Sequence, residues 1–340
     1  MKKFLHKIKF DKWKAWIYLL PAIILLLIFT VWPIINTVRM AFTVYWDPLQ
    51  GIDLNGDGID DVWGAYKPYS LTQEMGGRQF EFGLSNFTDV VKDAGFKIIM
   101  KNTVLLCILT VPISTFLALL IAVCLNAIKP LQRFLQTIFF LPYVTNSIAI
   151  GMVFAAMFNI VGLGSSNPSW GIINSLLGIF GIDPINWINV GSSYAANIAV
   201  MIVYIVWNAL PFKILILLGG LQSVNKQYYE AAKIDSTPKW RVFTKITVPL
   251  LSPMISYVVI TGFIGGFKEY TSIVGIFGEG MEPPGATIGG VPRLQTMVGY
   301  IYDQLGNNEG RASAAALILF GIIFIVTLIN LRVSKKNTHY

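Results

Sequence analysis

Long apolar stretches separated by polar segments dominate the pattern along this chain of 340 residues. Six of them contain about 20 or more mostly apolar positions, the length that an α-helix needs to cross the hydrocarbon core of a bilayer. They cover about residues 16–42, 102–126, 134–160, 196–222, 252–277 and 312–332. The pattern therefore predicts an all-α, polytopic membrane protein with six transmembrane helices.

The composition agrees with a membrane protein. Apolar residues make up 54% of the chain and charged residues 13%, against about 25% charged in an ordinary soluble domain. The net charge of +8 raises the question of nucleic-acid binding, but the basic residues lie between apolar spans instead of on one face with stacking aromatics. We therefore expect membrane lipid around the chain and no nucleic-acid partner.

The distribution of Lys and Arg predicts the orientation, because these residues concentrate on the cytoplasmic side of membrane proteins. Most of them lie before the first span, after the second and fourth spans, and after the last span. Both termini are thus predicted to be cytoplasmic. The predicted order is a basic N-terminus (1–15), the first transmembrane helix (16–42), an extracytoplasmic cap insert (43–101), a transmembrane core (102–332) with a cytoplasmic loop (223–251), and a cytoplasmic tail (333–340).

The cytoplasmic loop has the composition of two short helices with a bend between them. Its central part, residues 229–240, reads YEAAKIDSTPKW. Alanine and long charged residues favour helix through about Asp235. Ser236 or Thr237 can cap a second helix that Pro238 enters at its first position. From periodicity alone, an amphipathic connector lying on the membrane surface explains this segment equally well.

The loop also resembles a known motif. Glu230-Ala231-Ala232, with Asp235 five residues after Glu230, is followed by the run ITVPLL at residues 246–251. This arrangement resembles the EAA loop of bacterial ABC importer permeases. Over about residues 84–335 the chain looks like the maltose-type carbohydrate permeases, which implies the type I ABC importer transmembrane fold in the cytoplasmic membrane of a prokaryote.

The resemblance implies that the loop docks in a groove of a cytoplasmic ATPase and transmits its closure to the membrane helices. The implied coupling residues are Glu230, Ala231, Ala232, Asp235 and Ser236, with Glu230 as the electrostatic anchor. Ser236 stands where the family usually has glycine. A bend that needs a positive φ is less comfortable with serine, so the geometry of the loop is left open at this point.

The sequence lacks the means to hydrolyse ATP. No G-x-x-x-x-G-K-[ST] phosphate loop occurs in it, and the two histidines, His6 and His339, lie at the two ends. We therefore expect a transport subunit, not an enzyme, with no cofactor of its own for hydrolysis and with ATP and Mg on a partner. The resemblance implies a second homologous permease, two ATPase subunits and an extracytoplasmic solute-binding protein as partners.

Polar, aromatic and helix-disturbing residues inside the apolar spans are candidates for a transport site, because such residues usually face the interior of a bundle or a water-filled cavity. Carried over by spacing from the maltose-type permeases, the candidates are Tyr143, Ser147, Asn208, Phe212, Gly266 and Glu269. Aromatic rings can pack on the apolar faces of a sugar, and polar side chains can bind its hydroxyls. The alternative is that prolines and glycines kink the helices and the aromatics merely pack.

Two lysines within the spans, Lys213 and Lys268, are added to these candidates. A lone ammonium in the membrane costs about 2.5–3.5 kcal/mol on the milder insertion scale, so each needs compensation. One hypothesis is an ion pair with Glu269. The other is contact with an anionic cargo, such as a uronate-containing oligosaccharide.

An acidic segment in the cap insert matches the first half of a calcium-binding loop. Oxygen ligands alternate along DLNGDGIDD at residues 53–61, and Gly58 occupies the sixth position, where a sharp turn is needed. The candidate ligands are Asp53, Asn55, Asp57 and Asp61. The twelfth position is Gly64 instead of glutamate, so a further ligand would come from Glu74 or Glu81. The alternative is a plain acidic turn.

The function predicted from the sequence is the membrane-spanning subunit of an ABC importer for a sugar or oligosaccharide. An importer of the same class for an acidic oligosaccharide or another polar solute is the alternative. Of the other classes, a secondary transporter lacks support because no internal repeat is evident. A membrane enzyme such as a glycosyltransferase would need paired carboxylates near the membrane face, whereas the acidic residues cluster in the cap insert and the cytoplasmic loop.

Overall fold

The computed structural model describes residues 16–43, 46–52, 62–66, 82–128, 132–288 and 290–337. The candidate calcium ligands Asp53, Asn55, Asp57 and Asp61 lie outside these residues, as do Glu74 and Glu81, so the calcium hypothesis stays a prediction. Within the described residues, no group of three or more His, Cys, Asp and Glu side chains has the arrangement of a metal site.

The described residues form thirteen helices and four short strands, which loops connect. In chain order they are α1 (Trp16–Phe42), β1 (Trp46–Ile52), β2 (Val62–Tyr66), α2 (Ser85–Lys92), α3 (Phe96–Ala127), α4 (Gln132–Val144), α5 (Ser147–Phe158), β3 (Ile160–Val161), β4 (Ser169–Trp170), α6 (Ile172–Ile179), α7 (Tyr194–Ser223), α8 (Lys226–Ile234), α9 (Lys239–Leu250), α10 (Ser252–Phe267), α11 (Thr271–Phe277), α12 (Met297–Gln304) and α13 (Glu309–Asn337). Strand β1 pairs antiparallel with β2, and β3 pairs antiparallel with β4. Helix therefore dominates the described chain, as the hydropathy pattern predicts.

Four helices in the described residues are long and apolar enough to cross a membrane as continuous spans: α1, α3, α7 and α13. Two bent helix pairs bring the number of candidate spans to six, in agreement with the sequence. The third predicted span consists of α4 and α5, which meet at an angle of 100°. The cause is local: Pro142 lies in the last turn of α4, and the Asn146 side chain caps a new helix by accepting from the amides of Ile148 and Ala149.

The fifth predicted span is also interrupted. Helix α10 ends at Phe267, and α11 begins only at Thr271, after a non-helical segment in which Tyr270 has φ −149°. On the other side of α10, the second half of the loop that is predicted to be cytoplasmic forms α9 and meets α10 at 68°. Residues 268–270 therefore lie outside regular helix, although the sequence predicts them inside a transmembrane helix.

The chain divides into two compact units, and the smaller one comprises residues 1–92 and 301–318. Within its described part, the buried Asn86 amide donates to the carbonyls of Ala41 and Thr43, at 3.2 and 2.9 Å. Arg311 forms an ion pair of 3.2 Å with Asp89. These contacts join α2 to the end of α1 and to the first turn of α13.

The larger unit comprises residues 93–300 and 319–340, and its core is built on the pairing of α3 with α7. One apolar cluster centres on Tyr204 and Met201 of α7 and includes residues of α5 and α11. A second cluster joins Leu217 and Leu218 of α7 to Ala118 and Ala122 of α3. The small alanine side chains on α3 allow the two helices to pack closely, and polar side chains occupy the stretch between the two clusters.

Candidate functional site

A cavity of about 310 Å³ lies between α3, α4, α7 and α10 in the larger unit. Six of the eight predicted substrate residues line it: Tyr143, Asn208, Phe212, Lys213, Gly266 and Glu269. The third and fifth predicted spans contribute to it where they break, and the fourth where Pro211 lies inside α7. The structure therefore brings most of the predicted residues together at one place.

Aromatic rings form one wall of the cavity. Tyr143 of α4 and Phe212 of α7 stack with their ring centroids 5.9 Å apart and their planes at 19°. The Phe140 ring packs against the Tyr143 ring, with 5.3 Å between the ring centroids. Because about half of the Tyr143 surface is exposed, this wall offers a flat apolar face together with a phenol hydroxyl.

Ser147 lies behind the cavity wall and does not line it. Its hydroxyl accepts a hydrogen bond of 3.3 Å from the Asn208 amide and lies 3.1 Å from the hydroxyl of the buried Tyr204. Ser147 is also the first residue of α5, so these contacts tie α7 to the point where the third span breaks. We infer from this geometry that Ser147 orients Asn208 and does not itself face the cavity.

The Lys213 ammonium is compensated by oxygens of α3. It donates to the hydroxyls of Ser114 and Thr115, at 2.7 and 2.9 Å, and to the carbonyl of Val111 at 3.2 Å. In the described residues, no carboxylate lies within ion-pair distance of this ammonium. The predicted ion pair between Lys213 and Glu269 is therefore wrong, because hydroxyl and carbonyl oxygens on the facing helix already accept all three ammonium protons.

The predicted ion pair between Lys268 and Glu269 is also wrong in this structure. Lys268 is exposed and does not line the cavity, because α10 ends one residue before it. It forms no ion pair with Glu269 among the described residues. The Glu269 side chain instead accepts a hydrogen bond of 3.2 Å from the amide of Ser272 at the start of α11. The Ser272 side chain and the Tyr270 backbone also form hydrogen bonds with this carboxyl group, so a ligand would use its remaining lone pairs.

Glycines allow α10 to approach α3 beside the cavity. A Cβ atom on Gly266 would lie 2.9 Å from the Cys107 Sγ atom, and one on Gly262 would lie 3.2 Å from the Lys213 Nζ atom. A Cβ atom on Gly265, which also lines the cavity, would contact nothing within 4 Å. Gly266 therefore allows close contact between α10 and α3, whereas a side chain at position 265 would have free space around its Cβ atom.

Helix α3 also contributes to the cavity, which the sequence patterns did not predict. Thr110, Val111 and Ser114 line the cavity, and Thr115 supports Lys213 from the same helix face. A signal was present, because Thr103, Thr110 and Ser114 recur at helical spacing within the second apolar stretch. Their hydroxyls bond to carbonyls of their own helix as well, which is the usual way that such residues are accommodated in apolar helices.

The predicted coupling residues lie at the end of α8. Asn225 caps the start of this helix, and its end has the pattern of a Schellman motif, with Ser236 at φ 50° and the Thr237 amide donating to the Ala232 carbonyl at 2.9 Å. Serine thus adopts the conformation that the usual glycine favours. The prediction that Ser236 or Thr237 caps the second helix is wrong, because Pro238 precedes its first residue, Lys239, and no side chain caps it.

The same loop exposes both charged and apolar side chains. Ala232 is buried, whereas Glu230, Ala231, Asp235 and Ser236 are exposed. Three large apolar side chains of the loop are also exposed, with exposed fractions of 84% for Ile234, 73% for Trp240 and 54% for Tyr228. Exposed apolar side chains of this size next to polar ones mark an interaction surface.

Comparison with known proteins identifies relatives over most of the chain. Residues 110–339 match the family described as "Binding-protein-dependent transport system inner membrane component". The arabinooligosaccharides transport system permease protein AraP of Bacillus subtilis is 32% identical, over 74% of this chain and 75% of the relative. The trehalose/maltose transport system permease protein MalF of Thermococcus litoralis is 27% identical, over 97% of this chain and 96% of the relative.

A solved structure has the same fold. It is a chain of a bacterial ABC transporter involved in the import of the acidic polysaccharide alginate, with a TM-score of 0.72. The sequences are 21% identical, and the similarity covers 99% of this chain and 100% of the other. At this level of identity the comparison concerns the fold of the chain.

Proposed function

Because the chain belongs to the binding-protein-dependent transport system inner membrane component family, the permeases of ABC importers, we propose that it conducts a neutral sugar or oligosaccharide across the membrane. The cargo passes through the cavity between α3, α4, α7 and α10. The names of the relatives from Bacillus subtilis and Thermococcus litoralis, which refer to arabinooligosaccharides, trehalose and maltose, support a carbohydrate.

The observation that carries this proposal is the stacked pair Tyr143 and Phe212 beside Asn208 and Glu269 in one cavity. A sugar ring has apolar C–H faces that pack on aromatic rings and hydroxyls that need hydrogen-bond partners. The amide of Asn208 and the carboxylate of Glu269 supply such partners within the same space. The helix breaks beside these residues provide the irregular backbone that membrane transport sites use.

The charges in the cavity favour a neutral cargo over a uronate. The three protons of the Lys213 ammonium are directed to oxygens of α3, so a cargo carboxylate would have to displace an existing partner. Glu269 lines the same cavity, and in its ionised form it would repel a cargo carboxylate. A neutral hydroxylated cargo meets neither cost.

The energy for transport comes from a separate ATPase that binds ATP and Mg. The chain has no phosphate-binding loop of its own, and the exposed surface around Glu230, Ile234 and Trp240 has the chemistry of a docking site. The working complex contains this chain, a second homologous permease, two ATPase subunits and an extracytoplasmic binding protein that delivers the cargo.

The cavity is tested by uptake of a neutral oligosaccharide into vesicles containing the complete complex and its binding protein. Phe212→Ala and Asn208→Ala should each reduce uptake at least about tenfold, because each removes a contact of a buried ligand. Phe320→Ala is the matched control, since this phenylalanine is 64% exposed on α13. Equal loss of uptake in Phe212→Ala and Phe320→Ala would reject the cavity as the transport route.

The docking surface is tested by purification of the complex. Glu230→Lys should release the ATPase from the membrane subunits while leaving them folded. Glu279→Lys, an exposed charge reversal after α11, serves as the control. Retention of the ATPase by the Glu230→Lys variant, together with normal uptake, would contradict this role for the loop.

A further inference from the structure

A second cavity, of about 560 Å³, lies between the predicted coupling loop, residues 223–251 with helices α8 and α9, and the adjacent ends of α3 and α7. Its polar side is formed by Lys233, Ser236 and Lys239 of the loop. Its apolar side includes Val123 of α3 and Leu221 of α7. The cavity is thus amphiphilic, with a cationic rim on one side and hydrocarbon on the other.

The rim carries two positively charged side chains. Two lysines line the cavity, and no carboxylate is among its lining residues in the described part of the chain. Neither Lys233 nor Lys239 forms an ion pair or a side-chain hydrogen bond with another described residue. Their ammonium groups are therefore available to an anion, together with the nearby hydroxyls of Ser236 and Thr237.

We propose that this cavity binds the headgroup of an anionic phospholipid. The phosphate lies between Lys233 and Lys239, and the upper part of an acyl chain lies against Val123 and Leu221. Basic pockets between membrane helices on the cytoplasmic side are suited to anionic headgroups, and this cavity lies at the ends of two helices that are long and apolar enough to span a membrane. Its two-sided lining matches an amphiphile better than a free anion, which would leave the apolar side uncovered.

A lipid at this position would connect the coupling loop to the spans. It would contact α8 and α9 on one side and α3 and α7 on the other, so it would add contacts between the element that docks the ATPase and the helices that line the transport cavity. Transport by the complex should consequently depend on anionic lipid. This inference depends on the placement of the chain in a membrane and is independent of the cargo.

The test measures lipid retained by the purified complex and its transport in vesicles of phosphatidylcholine, with and without phosphatidylglycerol. The double variant Lys233→Gln/Lys239→Gln should bind phosphatidylglycerol more weakly, by about fivefold for each lysine removed, and should lose the stimulation of uptake. The matched control is Lys226→Gln/Lys245→Gln, which removes two exposed lysines of the same loop that do not line the cavity. Equal effects in both variants would overturn the proposal, because they would assign the lipid dependence to diffuse surface charge.

Further experiments distinguish a bound lipid from free phosphate and from docking of the ATPase. Ala127→Leu fills the apolar side while keeping both lysines, and it should also weaken lipid binding; unchanged retention and stimulation would overturn the proposal. Inorganic phosphate is added to the wild-type complex in phosphatidylcholine vesicles: stimulation equal to that by phosphatidylglycerol would mean that the site takes free phosphate. Loss of the ATPase from the lysine double variant in lipid-free detergent would overturn the proposal by assigning the lysines to subunit docking.

Discussion

The Lys213 ammonium lies 2.7 Å from the Ser114 hydroxyl and joins the middle of α7 to the middle of α3. This contact explains how a lysine is accommodated in an apolar span. Three oxygens of α3 take the place of the predicted carboxylate. The lysine thereby joins two of the helices that line the proposed transport cavity.

Removal of the Ser114 hydroxyl should weaken this tie. Ser114→Ala should lower the free energy of unfolding by about 1–2 kcal/mol, because a hydrogen bond to a charged group is lost in an apolar environment. Thermal unfolding of the purified chain measures the change. Thr261→Ala is the control, since the Thr261 hydroxyl donates only within its own helix, to Tyr257 at 2.8 Å and Val258 at 3.5 Å. Equal destabilisation by both variants would argue against the Lys213 contact.

Neighbouring glycines of α10 should respond oppositely to alanine. Gly266→Ala should destabilise the chain by about 1–3 kcal/mol, because its Cβ atom would lie 2.9 Å from the Cys107 Sγ atom. Gly265→Ala meets no atom within 4 Å, so it should be neutral or stabilise the helix by up to about 1 kcal/mol. Both are measured by thermal unfolding, and a larger loss for Gly265→Ala would refute the predicted packing.

A double variant tests the cause of the Gly266 effect. Cys107→Ala removes the sulfur atom that the new methyl group would meet. In the Gly266→Ala/Cys107→Ala chain, part of the lost stability should therefore return, giving a favourable interaction energy in a double-mutant cycle. Strict additivity of the two changes would indicate that the methyl group acts through other atoms.

Sequence patterns predicted the broad organisation because apolar length and helix composition are local properties. The six candidate spans and the two helices of the coupling loop both follow from such patterns. Six of the eight predicted substrate residues line the cavity. Apart from Lys213, they were selected by resemblance to the maltose-type permeases from the polar, aromatic and helix-disturbing residues of the apolar spans, where polar groups are costly unless they face an interior. The residues of α3 were missed because hydroxyls can also bond within their own helix, so Ser114 alone does not indicate a partner.

The contacts between segments were harder to predict. The pairing of Lys213 with α3 depends on the rotation of two helices, which hydropathy does not determine. The sharp break before Ser147 depends on the Asn146 cap competing with helix continuation, and a single proline usually kinks a membrane helix without turning it by 100°. Lys268 was placed in a span because the apolar pattern continues beyond the residue at which α10 ends.

Replacement of Ser236 by glycine should stabilise the coupling loop. The Ser236 φ of 50° costs a residue with a side chain about 1–2 kcal/mol relative to glycine. Ser236→Gly should therefore slow hydrogen exchange in α8, and Thr237→Gly, at a neighbouring position without positive φ, should accelerate it through greater freedom of the unfolded loop. Faster exchange in Ser236→Gly would show that the serine side chain makes a compensating contact.

The charge of Glu269 should determine which cargo is accepted. Glu269→Gln keeps the shape of the side chain but replaces a charged acceptor by a neutral one, so kcat/KM for a neutral oligosaccharide should fall about tenfold. For a uronate-containing oligosaccharide, kcat/KM should fall less or should rise, because the repulsion between two carboxylates disappears. The measurement compares the change in kcat/KM for the two cargoes, taken up by the same complex. Glu279→Gln is the control for a distant exposed carboxylate. If Glu269→Gln reduced uptake of both cargoes by the same factor, Glu269 would serve packing instead of cargo selection, and the preference for a neutral sugar would lose its structural basis.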